Sequence, residues 1–355
     1  MFKGISELKK QWLLLAAMLY VAFVLLMHKW GHQGDMMFWM DWSKYIYNNG
    51  FTHVYDNPSC NYLPAYLYFL VFHVKLQGNL TDIQDNLYTI KYYTFIFDML
   101  GAYLAVWFVK DDVKKIFYFL ILLFNVAYIY NTAFWTQVDA IFTFFGFASL
   151  ILALEKKSVL SVLFLLIALN FKLQALVFIP VVGLVLMPQF LNKNGIKKII
   201  LSVILIAIVQ VTILLPFILT NRLHQVIHVI TDSVGHYPYP TVGAFNLWSL
   251  LLPDVGIEEM YHINDGTKFW FISYKQFGNL LFFILIVIAV FPLMKYLYQK
   301  YVKQNELQFD ISKIFLMSSL VALSFYYFNT EMHERYAHPA IISLAAYAFC
   351  SKRFL

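Results

Sequence analysis

Of the 355 residues, 61% are hydrophobic and 19% aromatic, and only 13% are charged, about half the charged share of an ordinary soluble domain, which excludes a soluble globular protein. The net charge of +6 comes from 26 Lys and Arg scattered in ones, twos and threes between apolar runs, a pattern that reports membrane topology and argues against nucleic acid as a partner. The two cysteines, Cys60 and Cys350, give no basis for a disulfide framework, a CxxC metal site or a thiol nucleophile.

In chain order the apolar runs fall at 11–28, 88–109, 115–131, 136–154, 158–172, 174–190, 199–219, 277–296, 312–330 and 335–351. Each approaches the ~20 residues a membrane-spanning helix needs. The pattern predicts an all-α polytopic membrane protein with about ten transmembrane helices and no separate soluble domain, a single unit over 1–355. The first run follows Lys3, Lys9 and Lys10, lacks a small-residue cleavage site, and reads as an uncleaved signal anchor. With those lysines inside, Lys110, Lys114, Lys115, Lys156, Lys157, Lys193, Lys197, Lys198, Lys295, Lys300, Lys303, Lys313, Lys352 and Arg353 also fall inside, 17 of the 26 basic residues in all. Both termini are then cytoplasmic. Residues 158–190 read as two short spans with Lys172 at the outer surface, and Tyr62 to Leu76 as a partly embedded piece of the first outer loop.

This topology leaves two long outer loops, 29–87 and 220–276, which hold most of the polar residues, and places all ten histidines in outer loops or at outer span ends. In the first loop Asp35 and Asp41, six residues apart, are candidates for a base or a metal site; the plain alternative is a solvated interfacial helix over 38–47 flanked by loop acids. His32, Asp35, His53 and Asp56 have no recognised metal-ligand spacing, so no cofactor is required, although a divalent metal is conceivable. Trp135-Thr136-Gln137-Val138-Asp139 sits at one span mouth and Asn170-Phe171-Lys172-Leu173-Gln174 at another. Charges at such depth usually face a polar cavity, and Asp139 could simply pair with Lys172. Asp98, inside the second run, reads as buried and paired. In Met332-His333-Glu334-Arg335-Tyr336 the Arg335 fork suits phosphate, with Glu334 as a salt-bridge partner; the alternative is an arginine snorkelling at the interface. The stretch 221–248, with His224, His228, Asn246 and Trp248, could cap a site and stack on sugar rings.

Taken in order, Gly34-Asp35, Asn49-Gly50 with the tyrosine-rich stretch after it, Trp135-x-Gln137-x-Asp139, Phe171-Lys172-x-Gln174, Ala244-Phe245-Asn246-Leu247-Trp248 and Met332 to Tyr336 resemble the membrane glycosyltransferases of the GT-C fold. The similarity is greatest to bacterial relatives of the second GPI mannosyltransferase and fainter to the dolichol-phosphate-glucose-dependent glucosyltransferases. The resemblance spans residues 34–336 and departs from the family at Asn61-Tyr62-Leu63-Pro64, where Asp-Tyr-Pro-Pro is expected. It implies an outer-face active site in a bacterial plasma membrane. A hexose, mannose or glucose, moves there with inversion from a polyprenyl-phosphate carrier to a hydroxyl of a glycan, lipid or protein acceptor, with Asp35 as the base. The departing phosphate needs cations, and Arg335, Lys172 and His333 are the candidates. Asp41, Tyr62, Trp135, Gln137, Asp139, Gln174, Asn246, Trp248 and Glu334 are expected to support the sugar or acceptor. A lipid-linked-saccharide flippase or transporter is the alternative, but it should show matching broken segments in two halves, and no such self-similarity is visible.

Overall fold

A computed structural model describes residues 7–27, 29–233, 235–252, 260 and 262–351. Lys3, Lys352 and Arg353, used above to orient the chain, and His28 lie outside the described residues. The chain opens with α1 (Glu7–Leu26) and α2 (Gln33–Asn49), followed by a 3-10 turn (Phe51–Asp56), α3 (Pro64–Gln77) and α4 (Leu80–Asp85). A second 3-10 turn (Leu87–Ile90) leads into α5 (Lys91–Ala105), then α6 (Asp112–Leu123) and α7 (Val126–Tyr130), which runs into a π-helical turn (Asn131–Trp135). Next come α8 (Asp139–Leu154), α9 (Ser158–Phe171), a 3-10 turn (Leu173–Phe178), α10 (Ile179–Phe190), α11 (Gly195–Leu219), α12 (Leu223–Asp232) and α13 (Leu247–Leu251). A two-residue-strand hairpin, β1 (Lys268–Phe269) and β2 (Ile272–Ser273), precedes α14 (Tyr274–Leu297), and α15 (Ile311–Phe328), a 3-10 turn (Glu334–Ala337) and α16 (His338–Cys350) finish the chain.

Helix starts follow local chemistry. His32, Asn79, Asp111, Asn125, Asn246, Ser273 and Asp310 each accept a hydrogen bond from a backbone N–H of the first turn, and Ser273 with Gln276 completes a capping box. Gly78 ends α3 in the left-handed conformation.

Ten crossings do not emerge. Four helices are long and apolar enough to cross a membrane: Leu173–Phe190, Gly195–Leu219, Tyr274–Val302 and Ile311–Phe328. A fifth crossing results if α6 and Val126–Trp135, bent by 51°, count as one broken span. Leu14–Leu26, α8 and α9 are shorter apolar helices. The difference has a geometric cause. The runs read as spans at 88–109, 136–154, 158–172 and 335–351 form helices of 15, 16, 14 and 13 residues, and at 1.5 Å per residue these fall short of the ~30 Å hydrocarbon layer. The two long polar segments are also not loops: 29–87 folds into α2, α3 and α4, and 220–276 contains α12, α13 and the hairpin.

At the centre lies α8, apolar on all sides and buried along most of its length. Small side chains let its neighbours approach: Ser161 Oγ of α9 donates to Ser149 O at 2.8 Å, and Gly146 lies so close to Phe178 that a Cβ would fall 2.3 Å from the ring. Polar pairs join other helices. Asn170 of α9 and Gln210 of α11 exchange amide hydrogen bonds at 2.9 and 3.2 Å, and Ser319 of α15 donates to Ala340 O of α16 at 3.0 Å; such bonds replace the hydrophobic drive that lipid does not provide. By contrast α11 buries only Gly195, Ser202 and Phe217 and turns a row of Ile, Leu and Val outward. One apolar cluster fills this bundle, and a second gathers α2, α3 and the near ends of α8 and α9.

Lys91, 1% exposed, ties the two together. Its ammonium donates to Met27 O at 2.8 Å, Ala133 O at 2.9 Å and Trp30 O, joining the end of α1, the start of α5 and the π-turn. Lys91→Met keeps the apolar stem but removes the ammonium from Ala133 O and leaves Met27 O and Trp30 O with Trp30 N and Thr136 Oγ1 as their donors, so a thermal-unfolding series in detergent should show a loss of about 1–3 kcal/mol; an unchanged midpoint would mean that Ala133 O finds another donor.

Candidate functional site

The π-turn and the two residues after it build one wall. Thr136 has φ of 63°, a conformation rare for a non-glycine residue and costing about 1–3 kcal/mol. Three bonds hold it there: Thr136 Oγ1 donates to Trp30 O at 3.0 Å, Trp39 Nε1 donates to Thr136 O at 3.3 Å, and His32 N donates to Trp135 O at 3.2 Å. Gly31 permits the contact, since a Cβ there would stand 3.0 Å from Thr136 Oγ1.

That anchoring delivers Asp35 to the site in the first turn of α2, where a helix N-terminus favours an anion. Its Oδ2 accepts from Trp135 Nε1 at 2.7 Å and lies 3.2 Å from His32 Nδ1, and the His32 ring stacks on Trp135 with centroids 4.5 Å apart. The Asp35 side chain remains 17% exposed, open enough for a ligand hydroxyl to approach.

Asp139, 0% exposed in the first turn of α8, is the hub of the charges. It accepts from Asn131 Nδ2 at 2.9 Å and from Lys172 Nζ, and Arg335 Nε stands 3.7 Å away. Lys172 reaches it because α9 stops at Phe171 and residue 172 is extended (φ −160°, ψ 133°); the break expected inside 158–190 is therefore present, and the Asp139–Lys172 pair is real. Arg335 Nη1 donates to Glu334 Oε1 at 3.2 Å, and its Nε has no hydrogen-bond partner among the described residues. The Tyr336 ring lies 4.7 Å from Lys172 Nζ and 5.7 Å from the guanidinium carbon. Tyr62 OH donates to Gln137 Oε1 at 3.2 Å. The charge of Asp35 reaches Lys172, Arg335 and Tyr62, so Asp35, Tyr62, Trp135, Gln137, Asp139, Lys172, Glu334 and Arg335 share one locality.

Beside it runs a groove of about 590 Å³ between α7 with its π-turn and α16. Val126, Ala127, Tyr130, Ala337 and Ile341 make it mostly apolar, while Asn131, Trp135, Glu334, Arg335 and His338 supply its polar side. Val126 and Tyr130 are exposed, so its rim faces the medium around the bundle.

Other expected residues lie elsewhere. Asp41 points away because six residues turn a helix through about 240°; it accepts from Ser59 Oγ at 2.6 Å and Asn57 Nδ2 at 2.8 Å, fastening the turn after the 3-10 segment. Asn246 caps α13 and reaches Asn329 O at 3.3 Å. Trp248 is fully buried, donates to Phe328 O at 3.0 Å and packs on Tyr274, so neither can stack on a sugar in this structure. Gln174, half-buried on the turn after Lys172, makes no hydrogen bond among the described residues. His32 pairs with Asp35 while His53 pairs with Asp56, and among the described residues no group of three or more His, Cys, Asp or Glu could hold a metal. Asp56 is instead a latch: Arg222 donates to it at 3.0 and 3.1 Å, holding its carboxyl below the usual range with help from Gln225 and His53.

Sequence reading missed Asn131 and Tyr336 as parts of the site. A polar Asn closing an apolar run eight residues before Asp139 was the available signal for the first. Tyr336 was visible only as the end of its motif.

His333, expected as a cation, is not one. It is buried between Tyr237 and Tyr336 and bridges by its backbone to Val242 and Gly243. Burial, then the Arg335 and Lys172 charges, push its imidazole down to about 2. Below the ordinary 6.5 the unfolded chain takes up a proton that the native state refuses, so stability is complete above 6.5 and declines as pH falls toward 2. Denaturation midpoints measured from pH 7.5 to 4 should drop in the wild type and be flatter in His333→Gln; parallel curves would contradict a neutral His333.

No protein-family model matches the chain, and no curated protein matches it.

Proposed function

We propose that the protein is a GT-C-like membrane glycosyltransferase that transfers a hexose from a polyprenyl phosphate to an acceptor hydroxyl. What carries this reading is the meeting of residues from four distant motifs, Asp35, Trp135 to Asp139, Lys172 and Glu334–Arg335, beside one largely apolar groove that Trp135, Glu334 and Arg335 help to line. A lipid tail fits the apolar length, and an anionic head fits the end with the arginine.

The reaction divides between two sides. Asp35 takes the proton of the acceptor hydroxyl, whose oxygen attacks the anomeric carbon; the carbon–phosphate-oxygen bond breaks on the opposite side, its electron pair leaves with the lipid phosphate, and configuration inverts. A carboxylate in this position contributes about 10²–10⁴-fold. Charge gathers on the phosphate, where Arg335 meets it with the part of its fork that Glu334 leaves open. Lys172 is already committed to Asp139 and acts mainly by holding that hub. Tyr62, Gln137 and Trp135 surround the acceptor oxygen and keep Asp35 oriented.

In the membrane, this reading places the Asp35 face outside a bacterial plasma membrane, with ten passes and both termini cytoplasmic. Four of these passes are then short helices, shielded from lipid by their neighbours or locally thinning the bilayer.

Two measurements test the chemistry. Asp35→Asn should express normally and bind donor, yet lower turnover by about 10²-fold or more; near-normal turnover would remove the base. Arg335→Ala should cost about 2.7–4 kcal/mol of transition-state stabilisation, and Arg335→Lys should also impair transfer, since an ammonium cannot reproduce the planar fork. Full activity in Arg335→Lys would reduce Arg335 to an interfacial anchor.

The topology has its own check. Single cysteines at 53 and 232 should react with an impermeant thiol reagent on intact cells, and those at the exposed positions 112, 193 and 302 should not. Labelling of 193 from outside would put the turn between α10 and α11 on the outer side and overturn the ten-pass reading.

A further inference from the structure

Behind the groove wall lies a polar cluster to which the proposed reaction gives no role. Asp98 of α5 is 0% exposed, and neither of its carboxylate oxygens has a hydrogen-bond partner among the described residues. His338, the first residue of α16 and part of the groove wall, places Nε2 3.9 Å from Asp98 Oδ1; both of its nitrogens are also unpartnered. Tyr128 frames the pair, stacking on the imidazole at 5.1 Å while its hydroxyl donates to Asp98 O at 2.9 Å. Tyr20 OH, also without a partner, and the Thr132 hydroxyl, the side-chain donor nearest the carboxylate, complete the surroundings of Asp98, and the charge of Asp139, already balanced by Lys172, reaches His338.

An isolated ionised carboxylate in such an interior is strongly unfavourable, and so is an isolated imidazolium. One proton held by the two keeps the pair neutral as a whole, and from 3.9 Å the side chains must close by about 1 Å to hydrogen-bond and pass it. Within that neutral pair the proton has two residences, Asp98 Oδ1 and His338 Nε2, and only the second puts positive charge next to the groove.

We propose that Asp98 and His338 are a proton-sharing pair that senses and strengthens the binding of an anionic lipid head in the groove, an inference resting on the reading of the groove as a lipid-phosphate site. A phosphate beside Arg335 draws the shared proton from Asp98 to His338. The pair then presents its positive end to the phosphate and its negative end to the bundle interior. The proton leaves one atom and arrives at the other, no bond to phosphate forms, and no further reactant is required. His338 and Asp98 are thus positioning residues that act through the field at the head group.

The test uses the full chain in nanodiscs with ¹⁵N-labelled histidine, and undecaprenyl phosphate and undecaprenol as probes. In the wild type the phosphate should bind more tightly than the alcohol and move the His338 nitrogen resonances to imidazolium positions, which the alcohol should not do. Asp98→Asn should abolish that movement and reduce the preference for phosphate by at least about fivefold with alcohol binding unchanged, and His338→Gln should reduce the preference by a similar factor. Resonances that stay put when wild-type protein binds phosphate overturn the proposal without needing any variant to fold, and so does an undiminished preference in both folded variants. Equal binding of phosphate and alcohol by the wild type would instead overturn the lipid-phosphate reading, and the pair's role with it.

Discussion

A carboxylate shut away from water must be neutralised and hydrogen-bonded from within, and Asp139 imposes that demand on this fold. Its partners come from the π-turn (Asn131), the end of α9 (Lys172) and the 3-10 turn before α16 (Arg335). Each interrupts regular helix where it reaches inward: the π-turn widens the helix at 131–135, α9 gives way to extended backbone at 172, and the chain coils tightly at 334–337. The irregular backbone at the centre of the molecule is therefore the set of conformations that lets three cation or amide groups converge on one anion. Removing any one leaves the others facing an imperfectly compensated buried charge, a cost of about 3–5 kcal/mol where such pairs have been broken elsewhere.

Around this hub the two long polar segments form a braced rim. Asp56 meets Arg222, Asn61 meets His236 at 3.1 Å, and His333 pairs by its backbone with Val242 and Gly243. Thr330 Oγ1 donates to Asp265 at 2.7 Å, and Lys275 bonds Glu331 at 2.5 Å, fastening the segment ahead of α14 to the end of α15. Asn246 and Trp248 belong to this bracing.

How much of this could be read from the residues depended on what each residue had to satisfy. Asp139 and Lys172 were legible because isolated charges in apolar runs demand partners, and Asp35 and Arg335 because their motifs flank apolar runs. The helical class followed from the lengths of the apolar runs. Helix length did not, because the apolar length of a sequence segment exceeds the length of the helix that forms once caps, a π-turn and charged hubs consume its ends. Asp41 and Trp248 show the other limit: a carboxylate on the far face of a helix and a tryptophan with a buried carbonyl to satisfy look, as letters, the same as functional ones. His333 was misjudged because its charge depends on burial and on neighbours 161 and more residues away in the chain, such as Lys172.

Lys91 also sets an order of events during biosynthesis. Its three acceptors belong to residues 27, 30 and 133, so the joint can be complete only after more than a hundred residues beyond α1 have left the ribosome. The bonds to Met27 O and Trp30 O become available once Lys91 is made, and the third waits for Ala133. Completion of that three-way joint couples the N-terminal helices to the π-turn that carries the candidate site.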